Sequence, residues 1–252
     1  MSASECAEVP RNHSSSEYYL SEHAYVCVAD GDLIVMDVRT GTYIGLTPMQ
    51  SAALVRTVSG WPVNSAIYAI TDALMLSGKD TLIDALLNKD LLTISTVAGK
   101  KATPISISSC SEEITSYFSD PLPRIRGLHI LVFFRAFFAT TIAMRLTSFS
   151  ELIKSVHLRQ RRQLDQHARL SDVAILLSIY NRIRTCVFTA RDACFRDSLT
   201  LLHFLSSFGI YPDWIFAVQS APFSAHCWVQ YDTALLNDSL AHVRQFTPIF
   251  CA

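Results

Sequence analysis

The chain has 252 residues, half of them hydrophobic, which is enough to bury the core of one large domain or two small ones. Its 21 basic and 22 acidic side chains nearly cancel, and a net charge of −1 offers no general attraction to nucleic acid or anionic membranes. Seven cysteines without a CxxC pair predict neither a disulfide framework nor a zinc knuckle. No secretory signal opens the sequence, so we expect a cytoplasmic protein.

The first hundred or so residues combine β-type runs with helical patterns. Thr47 is a suitable N-cap, Pro48 fits the first helical position, and Gln50 can complete a capping box. We therefore predict a compact unit of three strands and three helices over residues 22–97. Its strands are expected at 24–29, 33–38 and 42–46, and its helices from Pro48, over 65–76 and over 81–88.

The middle of the chain predicts a linker over 98–124 and a domain boundary near residue 100. The apolar stretch 128–144 is interrupted by Arg135 and is shorter than a membrane span, so we interpret it as a buried helix. An interfacial membrane helix is the alternative. The basic run 154–169 is interpreted as a solvated helix face, with a contact to phosphate or an acidic peptide as the alternative. A further helix is expected over 173–188.

The final third predicts a helix followed by strands, which makes an α+β domain. Asp192 is a plausible N-cap, so Cys194 falls in the first helical turn, where backbone N–H groups and the helix dipole favour a thiolate. His226 lies on a predicted strand, and alternation places Cys227 on the opposite face from it. Cys194, His226 and Asp238 therefore form a candidate nucleophile, base and orienting carboxylate.

Strand register decides whether Asp238 can reach His226. A two-residue turn at Asp232–Thr233 would set Asp238 opposite Cys227, on the wrong face. A three-residue loop, or a bulge with the same effect, would set Asp238 directly across from His226, and we predict that register. Each residue also has a simpler explanation, since free cysteine is often a small buried hydrophobe, a strand histidine is often a core residue, and Asp238 can cap a turn.

The sequence around these residues resembles the lasso peptide biosynthesis B protein, a transglutaminase-like leader peptidase. The resemblance rests on the segment 222–229, on Leu236-Asn237-Asp238, and on intervals of 32 and 12 residues between cysteine, histidine and aspartate. Cys227 and Gln230 depart from the family pattern. Through the segment 42–47 and its order of elements, the N-terminal unit resembles a PqqD-like precursor-recognition domain. The fused form of the B protein has this pair of domains, with the papain-like peptidase domain expected over 125–252.

The resemblance implies that the chain binds the leader of a ribosomally made precursor, cleaves after it, and frees the core for an asparagine-synthetase-like lasso cyclase. The leader would add as a strand to the edge formed by residues 42–46. The chain contains no Walker motif, so any ATP requirement is expected to lie with the cyclase, and no metal or other cofactor is expected. The implied leader-binding residues are Tyr43, Ile44, Leu46, Leu82 and Leu86, of which Tyr43 and Ile44 can equally be core residues.

Three other functions remain to be compared with this one. The same triad can pass the acyl group to an amine, as a transglutaminase or acyltransferase does. A catalytically silent protein could deliver the precursor to the cyclase. A DNA-binding winged helix is disfavoured, because the predicted N-terminal helices carry few basic residues beyond Arg56, Lys79 and Lys89. The sequence leaves open the precursor, the cleavage residue, the oligomeric state and the function of the basic run.

Overall fold

The computed structural model describes residues 18–55, 57–63, 79–114, 122–161, 168–187 and 194–252. The second predicted helix, over 65–76, and the predicted N-cap Asp192 lie outside these ranges. The strands are β1 (Tyr19–Ser21), β2 (Ala24–Ala29), β3 (Asp32–Asp37), β4 (Thr42–Leu46), β5 (Leu92–Thr93), β6 (Gly99–Lys100), β7 (Glu112–Glu113), β8 (Asp213–Gln219), β9 (Ser224–Tyr231), β10 (Ala234–Leu235) and β11 (Thr247–Cys251). The helices are α1 (Pro48–Val55), α2 (Lys79–Asn88), α3 (Gly127–Leu146), α4 (Phe149–Arg161), α5 (Leu170–Arg184), α6 (Cys194–Ser206) and α7 (Leu240–Val243).

The three predicted N-terminal strands are confirmed, and they form an antiparallel sheet in the order β2-β3-β4. Helix α1 begins as the capping box predicts: the Thr47 amide donates to Gln50 Oε1 at 2.9 Å, and the Gln50 amide donates to Thr47 Oγ1 at 3.3 Å. The predicted third helix is present as α2. Local sequence signals were sufficient here because caps and turns act between close neighbours.

Both faces of the β2-β3-β4 sheet are apolar, and they pack against different partners. Val26 and Val35 belong to a core that this sheet shares with α1 and α2. Cys27, Ile34 and Met36 point the other way and join the large core of the C-terminal half. A strand buried on both faces has a continuous apolar run, as β3 has between Asp32 and Asp37. The N-terminal sheet is therefore packed directly onto the region that carries the three candidate catalytic residues.

The segment expected as a linker, 98–124, contributes strands to two sheets. β6 pairs antiparallel with β1, and β7 pairs parallel with β10. Gln230 is buried, and its amide donates to the carbonyl oxygens of Ser108 and Asp232 at 2.7 and 2.6 Å, while Cys110 Sγ donates to Gln230 Oε1. A glutamate at this position could not donate those bonds. Gln230 thus ties the segment to the C-terminal sheet.

The C-terminal half is a five-stranded sheet in the order β11-β8-β9-β10-β7, with helix α6 packed on its central strand β9. The sequence predicts strands over 214–218, 225–230 and 235–238. The first two are confirmed as β8 and β9, the third is wrong beyond Leu235, where β10 ends, and β11 was not predicted. Strand alternation holds on β9: Cys227 and Val229 face the large core, and Trp228 faces a small cluster on the other side. This layering is mixed α and β, with α3 to α6 on the Cys227 face and the short helix α7 on the Trp228 face.

The apolar stretch 128–144 forms helix α3, but the expectation of a fully buried helix is wrong. Phe133, Ala136 and Thr140 are buried, whereas Leu131 and Phe138 are 67% and 57% exposed. Only one stripe of the helix contacts α5 and α6, so the opposite stripe stays outside the core. Among the described residues, α3 is the one helix that is long and apolar enough to cross a membrane, by length and composition alone.

The basic run 154–169 begins on helix α4. Lys154 and Leu158 are exposed there, while Ile153 and Val156 on the same helix are buried in the large core. The expected solvated face is therefore present over the first part of the run, and residues 162–167 lie outside the described residues.

Candidate active site

Cys194 is the first described residue of helix α6, as the sequence predicted. The helix is anchored by apolar side chains that recur at helical spacing, among them Leu199, Leu202 and Leu205, all of which are buried. Cys194 itself is only partly buried and free of any disulfide. A buried helix body with a partly open first turn holds the thiol rigidly while leaving it accessible.

A hydrogen bond one turn further along α6 shows how the helix meets strand β9. Ser198 Oγ donates to the carbonyl oxygen of Cys227 at 3.4 Å, on the edge of the strand. Cys194 precedes Ser198 by four residues and so lies on the same side of the helix. The thiol is thereby placed beside His226 and Cys227, and both side chains interact with it strongly enough to lower its pKa.

The predicted contact between His226 and Asp238 is present: His226 Nε2 lies 2.5 Å from Asp238 Oδ2. The register predicted to produce it is wrong. Ala234 pairs with Tyr231, which is the two-residue-turn register that would place Asp238 across from Cys227 in a continuing ladder. Strand β10 ends at Leu235, and the ladder adds one more bond, from the Leu236 amide to the Val229 carbonyl at 3.0 Å, before the chain leaves it. Asp238 reaches His226 from the loop that follows.

Asn237 diverts the chain out of the ladder. Its Oδ1 accepts from the Val229 amide at 2.8 Å, in place of the Leu236 carbonyl that would accept this bond in a continuing ladder. Its Nδ2 donates to Ser198 Oγ at 3.0 Å and to Asp197 Oδ2 at 3.3 Å. Asn237 therefore links β9 to α6 and sets where Asp238 begins.

The buried Asp197 carboxylate holds the Asn237 side chain in position. The Asp197 side chain is 2% exposed and is paired with Arg184 at 2.7 Å, while the Tyr180 hydroxyl donates to its other oxygen at 2.9 Å. Burial raises the pKa of Asp197, and Arg184 with the Tyr180 and Asn237 hydrogen bonds opposes that rise. Sequence reasoning missed this network, because its members are distant in the chain and each resembles an ordinary polar residue.

Cys194 is poised as a thiolate. Hydrogen bonds from the Cys227 side chain and then from His226 lower the pKa of Cys194 to about 4, although burial acts in the opposite direction. The Cys227 amide adds a further bond to the same sulfur. At neutral pH the sulfur is therefore an anion, which is the nucleophilic form of the residue.

His226 is poised as the matching cation. Burial alone would lower its pKa, but the hydrogen bonds to Asp238 and Cys194 outweigh burial and raise the pKa of His226 to about 9. For Asp238, burial opposes ionisation, whereas bonds from His226 and the Ser239 amide lower its pKa overall. Because Nε2 faces Asp238, the Nδ1 atom is left for Cys194, and the three groups form a continuous relay.

Cys227 has a role that sequence reasoning did not assign. It was expected to point away from the base, and it does face the opposite core, yet there it meets the Cys194 sulfur. Its bond to Cys194 and its burial raise the pKa of Cys227 well above the usual thiol range. Cys227 is therefore a neutral donor, and Cys194 is the nucleophile of the pair.

His242 also escaped the sequence analysis. Its Nδ1 lies 3.0 Å from each carboxylate oxygen of Asp238, one helical turn away, and its ring lies 4.6 Å from the ring of His226. The i, i+4 spacing of Asp238 and His242 was the available signal. The Asp238 carboxylate thus contacts both His226 and His242 within hydrogen-bond distance.

A groove of about 420 Å³ runs between strand β4 and the loop after β8. Tyr43 and Phe223 face each other across it, with ring centroids 5.9 Å apart. Burial raises the pKa of Tyr43, and the neighbouring charges of Cys227 and Cys194 raise it further, so Tyr43 lies close to the thiol pair. Tyr43 therefore lines the groove and also feels the charge of the thiol pair, although Cys194, His226 and Asp238 do not line the groove themselves.

The residues predicted to bind a leader divide into two groups. Tyr43 lines the groove, and Ile44 and Leu82 are partly buried against the N-terminal core. Leu46 and Leu86 are each 4% exposed and belong to that core, although Leu46 also borders the groove. Contact of all five with a leader stays a prediction.

Residues 136–251 match the family model described as the transglutaminase-like superfamily. The matched region contains Cys194, His226 and Asp238. No curated protein and no solved structure matches the chain. The N-terminal sheet lies outside the matched region, and its likeness to a PqqD-like domain stays a prediction.

The geometry and the match agree on the class of protein. The C-terminal part of the chain is a transglutaminase-like domain, in a superfamily whose members generally act as cysteine proteases or acyltransferases. Both activities proceed through an acyl-cysteine intermediate, which a thiolate paired with an imidazolium can form.

Proposed function

We propose that this chain is the leader peptidase of a lasso peptide pathway, a B protein that hydrolyses the amide between leader and core of a ribosomally made precursor. The observation that carries the proposal is the relay Cys194–His226–Asp238, in which His226 Nε2 lies 2.5 Å from Asp238 Oδ2 and the partly buried thiol at the start of α6 interacts with the same imidazole. An open groove along β4, lined by Tyr43, which feels the charge of Cys194, supports a peptide substrate.

The reaction begins with attack of the Cys194 thiolate on the carbonyl carbon at the end of the leader. The C–N bond breaks, and His226 delivers its proton to the departing core amine, leaving a thioester between leader and enzyme. His226 then takes a proton from water, which attacks the thioester and restores the thiolate. Asp238 holds the imidazole in orientation and stabilises its charged form in both steps.

The first turn of α6 is suited to the oxyanion that forms during this attack. Backbone N–H groups at a helix start have no partner within the helix and carry a positive partial charge. Cys194 stands at that end of the described helix, so its own amide is close to the carbonyl it attacks.

The leader is proposed to bind along the edge of β4. This strand pairs with β3 on one side, and the described residues place no strand on its other side. Gly45 on β4 has no atom within 4 Å of the position a Cβ would occupy, so the face of the sheet that lines the groove is open at this point. An extended peptide seated on this edge could enter the groove at Tyr43 and continue toward Cys194.

The released core would pass to an asparagine-synthetase-like lasso cyclase, which would also be the site of any ATP requirement. The proposed location is the cytoplasm, where such a precursor is made and where a thiolate nucleophile stays reduced. Both statements rest on the family resemblance given above.

Mass spectrometry of the precursor encoded beside this chain's gene, incubated with the protein and its cyclase in ¹⁸O-labelled water, tests the proposal. Hydrolysis predicts a free leader whose new carboxylate carries one ¹⁸O atom, and Cys194→Ala should abolish its release. Cys251→Ala is the matched control, because Cys251 is a partly buried thiol with no bond to the relay. Unchanged release by Cys194→Ala would overturn the proposal.

The same experiment tests acyl transfer. With methylamine present, a transferase would yield a leader methylamide instead of the labelled acid, because the amine would intercept the thioester. A precursor that binds but remains intact with wild-type protein and cyclase would indicate a delivery protein. Either result would exclude the peptidase assignment.

A further inference from the structure

Three side chains of the kinds that bind metal ions lie close together on the Nε2 side of His226. One nitrogen from His226, one nitrogen from His242 and one oxygen from Asp238 all lie within 4.8 Å of one another. Within the described part of the chain, this is the one group of three or more histidine, cysteine or acidic residues with such spacing. The Cys194 sulfur is not a member, because it bonds the other side of the His226 ring.

The three ligand atoms are held before any ion arrives. The Ser239 amide donates to Asp238 Oδ1 at 2.7 Å and fixes the carboxylate. The ring of Phe246 lies 5.1 Å from that of His226 and 5.3 Å from that of His242, which limits rotation of both imidazoles. Little conformational entropy would be lost when an ion binds to groups that are already ordered.

The distances suit a small ion with tetrahedral preference. With bonds of about 2.0–2.1 Å to nitrogen and oxygen, two ligands of a tetrahedral zinc ion lie about 3.3 Å apart. His242 Nδ1 is 3.0 Å from Asp238 Oδ2, and His226 Nε2 is 2.5 Å from the same oxygen. An expansion of less than about 1 Å would admit the ion between them.

Access is from the solvent through His242. Its side chain is 46% exposed, compared with 13% for His226 and 16% for Asp238. An incoming ion could bind the exposed imidazole first and then the two inner ligands. Two imidazoles with one carboxylate leave a fourth position for water, as in zinc sites with three protein ligands.

We propose that His226, Asp238 and His242 form a site for a zinc-type divalent cation that switches off the cysteine centre. Bound at Nε2 of His226 and at Asp238, the ion would replace the hydrogen bond between them, and the Nε2 proton would be released to solvent. The base would then lose its orienting carboxylate, and the relay to Cys194 would be broken. The regulatory consequence rests on the proposed function, whereas the binding of the ion does not.

The alternative is that zinc binds to the reactive thiolate itself, as it does at many exposed cysteines. In that case the ion would bind the Cys194 sulfur, and His242 would contribute nothing. The proposed site requires His242 and not Cys194 as a zinc ligand, whereas binding to the thiolate requires Cys194 and not His242. Variants of these two residues therefore separate the two possibilities.

Isothermal titration calorimetry with zinc chloride tests the proposal on the whole protein after treatment with chelator. We expect the wild type and Cys194→Ser each to bind one zinc ion per protein molecule with high affinity. His242→Gln, which can still hydrogen-bond Asp238 but is a poor zinc ligand, should weaken that binding more than about 10- to 100-fold, the range seen when only outer-shell partners are removed. His129→Gln is the matched control, since His129 is a distant histidine whose capping role glutamine can fill.

Cobalt provides an independent measurement of the ligands. Co²⁺ bound to nitrogen and oxygen should show ligand-field bands without a sulfur charge-transfer band, and Mg²⁺ should not compete because it prefers oxygen ligands. Loss of the high-affinity binding in Cys194→Ser, or its retention in His242→Gln, would overturn the proposal. If precursor is never cleaved but these titrations behave as expected, the proposed function fails while the metal site stands.

Discussion

The pKa of Cys194 should depend on one neighbouring thiol. The bond from Cys227 is the largest single influence that lowers the pKa of Cys194 to about 4. Cys227→Ala removes the donor, whereas Cys227→Ser keeps a donor of nearly the same size at the same place. We therefore expect the alanine variant to have a less acidic Cys194 and the serine variant to resemble the wild type.

The expected magnitude follows from the energy of a hydrogen bond to a charged group. Such a bond contributes about 1.5–3 kcal/mol, and about 1.4 kcal/mol corresponds to one pKa unit. Loss of the Cys227 donor should thus raise the pKa of Cys194 by about 1 to 2, to near 5 or 6. The thiolate would still be present at pH 7, because His226 continues to stabilise it.

The assay is the rate of alkylation by iodoacetamide as a function of pH, read at Cys194 by peptide mass spectrometry. At pH 5 an ordinary thiol with a pKa of about 8.5 is almost wholly protonated, so labelling there reports an unusually acidic cysteine. Burial raises the pKa of Cys27 and Cys251 to about 12, so these two serve as internal negative controls. Wild-type protein should label at Cys194 with a midpoint near pH 4.

Equal midpoints for the wild type and Cys227→Ala would refute the reasoning, since the Cys227 donor would then contribute nothing to the thiolate. A midpoint near 8.5 in the wild type would contradict the whole relay. Circular dichroism of each variant separates these outcomes from misfolding, because Cys227 is buried and its truncation leaves a small cavity.

Leader release should follow a bell-shaped pH profile, rising as Cys194 ionises near pH 4 and falling as His226 loses its proton near pH 9, measured as kcat/KM. Asp238→Asn removes the carboxylate that raises the pKa of His226, so the alkaline limb should move down by about 1 pH unit or more. Arg184→Ala leaves the buried Asp197 carboxylate without its cation and should lower the free energy of unfolding by about 3 kcal/mol in urea.

Each of these predictions has a result that would count against it. An alkaline limb that stays in place in Asp238→Asn would show that the carboxylate does not act on the base. Arg145→Ala, at an exposed arginine on α3, is the control for Arg184→Ala and should change stability by less than about 0.5 kcal/mol. Equal stabilities of the two arginine variants would contradict the importance of the buried pair.

Local chemistry made much of the fold predictable. The capping box at Thr47 and Gln50, the two-residue period of the β strands, and the helix that begins by Cys194 all depend on residues close together in the chain. The relay was nominated by the placement of Cys194 at a helix start, by strand alternation around His226 and by the motifs that flank the three residues. The structure brings those three residues together, and their catalytic roles stay a proposal.

The route by which Asp238 reaches His226 could not be predicted. The sequence favoured a register shift within the ladder, but the chain instead leaves the ladder at Asn237, whose side chain bonds both β9 and α6. That choice depends on Asp197 and its buried partner Arg184, which approach from other helices. Whether the Asn237 side chain or a strand carbonyl bonds the Val229 amide is settled only after those helices have packed against β9.

The sequence by itself determined the strands, several helix limits and the identity of the candidate nucleophile, because these follow from periodicity, caps and residue chemistry. Only the tertiary structure decided which face of α3 is exposed, that Cys227 donates to Cys194, and that His242 shares Asp238 with His226. The physical reason is the same in each case. Burial and hydrogen bonding between distant segments depend on how elements pack, and no local pattern specifies that packing.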